Sequence, residues 1–141
     1  SKLHYTDAAI FIASAAVADF KPDTNATQKI KKETGFSQIN LIPTPDILAH
    51  LGAVKEKQFL VGFALETENE LENAQGKLER KNLDAIVLNS LNDANAGFGG
   101  DQNKITYLQP NTKPIVFELK TKAAVAVDVF DQILLAYEKT S

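Results

Sequence analysis

The sequence predicts an α/β fold, with a mostly parallel sheet covered by helices and an antiparallel hairpin added near the C-terminus. Three observations predict it. Short, almost continuously apolar runs, such as Phe59 to Ala64 and Asp84 to Leu88, read as strands buried on both faces. Stretches of helical period separate them. After a glycine-rich loop, Ala96-Gly97-Phe98-Gly99-Gly100-Asp101, the pattern changes to strand-turn-strand.

The elements follow in order. Ala8 to Ala13 is the first strand, and the small residues of Ala15-Ala16-Val17-Ala18-Asp19-Phe20 would let another chain or a ligand approach its end. Lys21 to Gln38, with Pro22, Gly35 and a basic cluster at Lys29, Lys31 and Lys32, reads as a long, partly irregular loop. Ile39 to Ile42 is a short strand. Thr44 as N-cap, Pro45 at the first helical position and Asp46 in the first turn then start a helix. Ile47, Leu48 and Leu51 form its buried stripe, and Gly52 weakens its end. Phe59 to Ala64 is the next strand. The helix from Thr67 to Lys81 carries Glu68, Glu70 and Glu72 near its start and Lys77, Arg80 and Lys81 near its end, an order that complements the helix dipole. Leu83 to Asn89 is a further parallel-type strand. Lys104 to Leu108 and Ile115 to Leu119 form a hairpin closed by Pro110 to Pro114. The last helix runs from Thr121, its cap, to Lys139, with Val125, Val129, Ile133 and Ala136 along one face. Without a repeat, low-complexity tract or linker, residues 1–141 read as one Rossmann-like, three-layer domain. Ligands of such sheets sit at the carboxyl ends of the parallel strands.

Composition bounds the function. The 141 residues are 44% apolar and 23% charged, the profile of one globular domain rather than a disordered, collagenous or disulfide-rich chain. Fifteen Lys and Arg against 18 Asp and Glu leave a formal charge of −3. No global basic field favours duplex DNA or an anionic membrane, so neither is an expected partner. The absence of Cys excludes thiolate catalysis and Cys-ligated metals and suits a reducing compartment. His4 and His50 leave little for a His-rich metal site, and no metal ligand is nominated. No apolar run approaches the roughly 20 residues of a bilayer span, and no signal-peptide pattern is present. A cytoplasmic location is expected.

The strand ends hold the candidate chemistry. Asp19, just past a buried strand, can accept from a ribose hydroxyl or help hold a phosphate-bound cation, although a loop carboxylate more often caps nearby amides. The Thr44-Pro45-Asp46-Ile47 helix start offers N–H groups to an anion, as almost every helix start does. Lys29, Lys31 and Lys32 can supply cations to phosphate oxygens, against the commoner meaning of a solvated loop. Lys77 and Lys81 share a helix face at i,i+4, where like charges are mildly unfavourable; an anion would relieve them, or they answer only the helix dipole. Walker, dinucleotide-fingerprint, nucleophile-elbow and His-Glu-x-x-His patterns are all absent.

Taken in order, Ala15 to Phe20 with Pro22, Lys29-Ile30-Lys31-Lys32, Thr44 to Leu48, Val61 to Thr67, Lys77 to Asp84, and Gly97-Phe98 with Asp101 and Asn103 resemble the phosphopantothenate–cysteine ligase family, also called phosphopantothenoylcysteine synthetase. That family is often the C-terminal part of a bifunctional flavoprotein of coenzyme A biosynthesis. The resemblance runs from Asp7 to Tyr137. It implies that CTP activates the carboxylate of 4′-phosphopantothenate as an acyl-cytidylate, and that the amine of cysteine then displaces CMP.

By matching positions, the resemblance places nucleotide contacts on Ala13, Ser14, Ala15, Asp19, Lys29, Pro45, Asp46, Ile47, Leu48, Phe63, Lys77 and Lys81. Lys29 is the expected catalytic residue, acting in formation of the acyl-cytidylate, while Phe63 and the helix start at Pro45 shape the base and sugar pocket. Mg²⁺ is expected with the triphosphate, a homodimer as the assembly, and a flavin-dependent decarboxylase domain as a possible upstream partner. Ser14 and Leu65 stand where the family commonly has alanine, and Ser90 where an Asp is expected after Asn89. The family's opening segment, with a Gly-Gly-Thr start and the asparagine that stabilises the acyl-cytidylate, is not in this sequence. The chain is therefore expected to be a C-terminal portion unable to complete turnover alone. The alternative reading is a non-catalytic module for nucleotide sensing or self-association, whose strand edges need covering.

Overall fold

A computed structural model describes residues 4–24, 38–90 and 100–140. In chain order these form β1 (Ile10–Ala13), β2 (Phe20–Pro22), β3 (Leu41–Pro43), α1 (Ile47–Ala53), β4 (Phe59–Glu66), α2 (Glu70–Arg80), β5 (Ala85–Ser90), β6 (Gln102–Asn103), β7 (Ile105–Leu108), β8 (Ile115–Val116), β9 (Lys120–Thr121) and α3 (Lys122–Thr140). The chain divides into two compact units, one of Ser1–Ser14 with Leu48–Ser141 and one of Ala15–Ile47.

The first unit is built on a five-stranded sheet of order β1-β4-β5-β7-β8. β1, β4 and β5 are parallel, with Ala13 opposite Gly62 and Val61 opposite Ala85. β7 then pairs antiparallel with β5, and β8 with β7, which is the expected hairpin. Strand alternation explains the continuous apolar runs. Leu60, Ala64, Ile86 and Leu88 pack on one side with Leu51 of α1 and Ala74 and Leu78 of α2. Phe59, Val61, Ala85 and Val87 pack on the other with Val125, Val129, Ile133 and Ala136 of α3. Helices thus cover both faces, and the α/β three-layer architecture read from the sequence is the one observed. Each fully buried Leu or Ile contributes roughly 1.5–3 kcal/mol.

Two glycines are required by packing. A Cβ on Gly62 would lie 2.8 Å from a Leu83 methyl and 2.9 Å from a Leu48 methyl, so α1 rests directly on β4. A Cβ on Gly52 would lie 1.8 Å from the Lys81 carbonyl oxygen, because the end of α1 meets the end of α2 backbone to backbone. The Asn82 side-chain amide, on a residue with φ 51°, donates to the Gly52 carbonyl at 2.9 Å and fastens this junction.

In the second unit β2 and β3 form an antiparallel ribbon, with Phe20 opposite Pro43, Lys21 opposite Ile42 and Pro22 opposite Leu41. The Asp23 N–H donates to the Asn40 carbonyl at 2.9 Å.

Several local expectations are corrected. Lys21 and Pro22 belong to β2 rather than to a loop, and β3 lies one to two residues later than the expected strand. α1 starts at Ile47, not Pro45, because the Thr44 hydroxyl donates to the Ala18 carbonyl instead of capping the helix. α2 starts at Glu70 after Asn69, whose left-handed backbone (φ 45°) ends the preceding turn. The small ribbon of β6 and β9 is too short to leave a period in the sequence. The cap of α3 is as expected: the Thr121 hydroxyl accepts the Ala124 N–H at 3.3 Å. The glycine-rich stretch at 96–99 lies outside the described residues. No described helix is long and apolar enough to cross a membrane.

Candidate functional site

Of the candidates of the first unit, Ala13, Ser14 and Phe63 lie in or just after β1 and β4, Leu48 and Lys77 lie on α1 and α2, and Lys81 follows α2 shortly before β5 begins. Ala13 ends β1 beside Gly62, and Ser14 follows it, exposed. Phe63 pairs with Val87 and lies on the α3 side of β4, by alternation from Phe59 and Val61. It is 36% exposed, and Leu65 on the same side is 42% exposed. Ile12, level with Val61 on β1, is 38% exposed. These partly exposed residues lie on the α3 side of β1 and β4 and offer apolar surface suited to an aromatic or sugar ring.

Asn89 is level with Leu65. Its side-chain oxygen accepts from the Asn103 amide at 3.0 Å, and the Asn103 oxygen in turn accepts the Lys104 N–H at 3.0 Å. The sequence predicts Asn89 only as the last residue of a strand; its link to Asn103 is a tertiary contact with no local signature.

On the α2 side of β4, Lys77 Nζ lies 2.7 Å from Glu66 Oε1. This partner of Lys77 comes from the neighbouring strand rather than from the helix, so the i,i+4 spacing of Lys77 and Lys81 carries no trace of it. Lys81 caps α2 at its carboxyl end, its N–H donating to the Lys77 carbonyl at 3.1 Å. Leu48, in α1, packs its side chain against the core.

In the second unit, Ala15, Asp19, Pro45, Asp46 and Ile47 are all exposed. The Thr44 N–H donates to the Asp19 carbonyl at 2.8 Å, and the Thr44 hydroxyl to the Ala18 carbonyl. One threonine thus joins Asp19 to the Pro45–Ile47 segment. α1, which follows this segment, has seven residues. Lys29 lies outside the described residues. Among the described residues no group of three His, Asp or Glu converges as a metal cage.

Two buried tyrosines lie apart from these strand ends. The Tyr107 hydroxyl, fully buried, is pushed up to about 12 by burial and then by the Asp84 charge. Tyr5, in edge contact with Phe11, is raised for the same reasons.

Over residues 1–136 the sequence matches the family described as the DNA/pantothenate metabolism flavoprotein C-terminal domain. The chain belongs to this family. A cysteine/cysteine sulfinic acid decarboxylase of an unknown prokaryotic organism is 56% identical over 126 residues, covering 89% of this chain and 35% of that protein. The coenzyme A biosynthesis bifunctional protein CoaBC of Haemophilus influenzae is 41% identical over 132 residues, 93% of this chain and 32% of that protein. The crystal structure of a CoaBC C-terminal domain superposes with a TM-score of 0.77 at 35% identity, covering 98% of this chain and 59% of that one. A Cab2 variant in complex with phosphopantothenate-cysteine superposes with a TM-score of 0.67 at 25% identity, covering 93% of this chain and 44% of that one. The chain spans about a third of the length of the curated relatives it matches. The resemblance read from its motif order is borne out at the level of the family.

Proposed function

We propose that the chain carries much of the nucleotide site of a phosphopantothenate–cysteine ligase of coenzyme A biosynthesis. The observation that carries this reading is the family match together with the likeness to CoaBC and to a Cab2 variant holding phosphopantothenate-cysteine. A carboxylate oxygen of 4′-phosphopantothenate attacks the α-phosphorus of CTP and pyrophosphate leaves. The cysteine amine then attacks the acyl carbon, its proton is lost, and CMP departs as the amide forms.

Both steps bring anions together, so positioned cations are the main requirement. Lys29 neutralises charge developing at the α-phosphate, and Lys77 and Lys81 grip the phosphate chain. Phe63, with Ile12 and Leu65, takes a face of the base or sugar. Ala13, Ser14 and Ala15 let the nucleotide approach the main chain. Asp19, tied through Thr44 to Pro45, Asp46 and Ile47, faces ribose hydroxyls or a phosphate-bound cation, and Leu48 contributes its main chain. Mg²⁺ arrives with CTP as part of the substrate, because Mg²⁺ is held chiefly by phosphates and one or two carboxylates.

The working assembly in this reading is a cytoplasmic homodimer, joined to a flavin-dependent decarboxylase domain upstream. The dimer is favoured by the β2–β3 ribbon, on which Phe20 and Leu41 are 58% and 59% exposed. Two strands alone are marginally stable and their apolar residues need a cover.

The relative named as a cysteine/cysteine sulfinic acid decarboxylase favours a second reading: a nucleotide-sensing or self-association module attached to decarboxylation chemistry carried elsewhere. An assay with the family's Gly-Gly-Thr-bearing segment joined upstream separates the two. The ligase makes 4′-phosphopantothenoylcysteine and releases CMP and pyrophosphate in equal amounts, and Lys29→Gln slows it by about 100-fold. No CTP-dependent product leaves the module.

A further inference from the structure

We propose that Glu66 is a positioning residue that holds the Lys77 ammonium in place for an anionic ligand, a role that rests on the reading of Lys77 as a nucleotide contact. Glu66 is the last residue of β4 and lies on its α2 side, in alternation with Leu60 and Ala64. Its side chain is 12% exposed, whereas that of Lys77 is 37% exposed, and the two meet at 2.7 Å.

That asymmetry distinguishes the pair from an ordinary surface ion pair. The nearly buried carboxylate needs a cationic partner, because an unpaired charge in that position is strongly unfavourable. The lysine is the member that still faces solvent. An ammonium has three donors, and an ion pair with Glu66 that makes no hydrogen bond to Oε1 leaves those donors the capacity to face an incoming phosphate oxygen. A bound anion therefore adds to the pair rather than replacing the carboxylate.

The benefit is preorganisation. A lysine on a flexible four-carbon stem loses rotamer freedom when it grips a ligand, and Glu66 imposes that order beforehand. The position also suits a ligand site, since Glu66 is the last residue of β4, at the carboxyl end of a parallel strand where ligands of such sheets sit. Sequence spacing alone treats Lys77 as one of two cations on a helix, whereas the fold makes it half of a strand-to-helix clamp.

The test is a double-mutant cycle on the full chain, read by calorimetric titration with CTP. Glu66→Gln keeps the side-chain volume and removes the charge. It should weaken CTP binding about 3- to 10-fold, Lys77→Ala should weaken it at least as much, and the double variant should be no weaker than Lys77→Ala alone. Unchanged or tighter binding by Glu66→Gln, or losses that multiply in the double variant, would overturn the positioning role while leaving Lys77 as a contact. If Lys77→Ala binds CTP normally, the assignment of Lys77 to the nucleotide fails, and this proposal with it. Glu66→Asp provides the same readout if the glutamine variant does not fold, with an intermediate loss expected because the shorter carboxylate reaches Lys77 less well. Thermal melting of each variant separates a general loss of structure from a loss confined to CTP.

Discussion

Lys55 Nζ lies 3.0 Å from both carboxylate oxygens of Asp84, and Asp84 Oδ2 also accepts the Leu60 N–H at 2.7 Å. The Asp84 N–H returns a bond to the Leu60 carbonyl at 2.9 Å. This clasp ties the beginnings of β4 and β5, at the end of the sheet opposite Ala13 and Glu66. Replacing Asp84 by Ala would leave a part-buried ammonium and a main-chain donor without their partner. The expected loss of stability is about 2–4 kcal/mol, measured by urea unfolding.

Gly52 and Lys81 make a backbone contact that admits no side chain. Gly52→Ala would place its Cβ 1.8 Å from the Lys81 carbonyl oxygen and 2.8 Å from the carbonyl carbon, so α1 or the end of α2 must move. A loss of roughly 3 kcal/mol is expected in thermal or urea unfolding. CTP affinity should fall as well, because the displaced residue is Lys81.

Tyr107 gives the fold an alkaline limit. Its folded pKa, about 12, lies above the ordinary value of 10.0, so the unfolded chain loses this proton first as pH rises. The stabilising contribution is complete below pH 10 and is lost between pH 10 and 12, at up to about 1.4 kcal/mol per pH unit. Tyr107→Phe should flatten that part of the stability profile. It should cost little at pH 7, because among the described residues the buried hydroxyl has no hydrogen-bond partner.

The legible parts of the fold were those whose burial leaves a periodic trace. β4 and β5 are buried on both faces, so their runs are continuously apolar, and α3 buries Val125, Val129, Ile133 and Ala136 at helical spacing. The illegible parts depend on distant partners. Thr44 has the sequence of a helix cap, but Ala18 and Asp19 take its hydroxyl and N–H. Gly52 reads as a weak point in a helix and is instead a close approach to Lys81. The candidate site divides in the same way: charge spacing makes Lys77 a candidate and the family resemblance makes Phe63 one, whereas the Glu66 carboxylate beside Lys77 and the Asn103 amide on Asn89 arise only once strand, helix and loop are assembled.

The β2–β3 ribbon bears on assembly. Phe20 and Leu41 are largely exposed on a two-stranded ribbon, and in the proposed homodimer a second copy covers them. Phe20→Asp and Leu41→Asp should each shift the protein towards monomer in sedimentation equilibrium, with the folded state of the first unit retained by circular dichroism. Dimers unaffected by both changes would place the interface elsewhere.

The nucleotide site is the central claim, and calorimetric titration of the chain with CTP and with ATP tests it most directly. The account predicts that CTP binds in preference to ATP and that Lys29→Gln weakens CTP binding by at least about tenfold, the loss of one charge-assisted phosphate contact. Absence of nucleotide binding, or CTP binding untouched by Lys29→Gln, would contradict it.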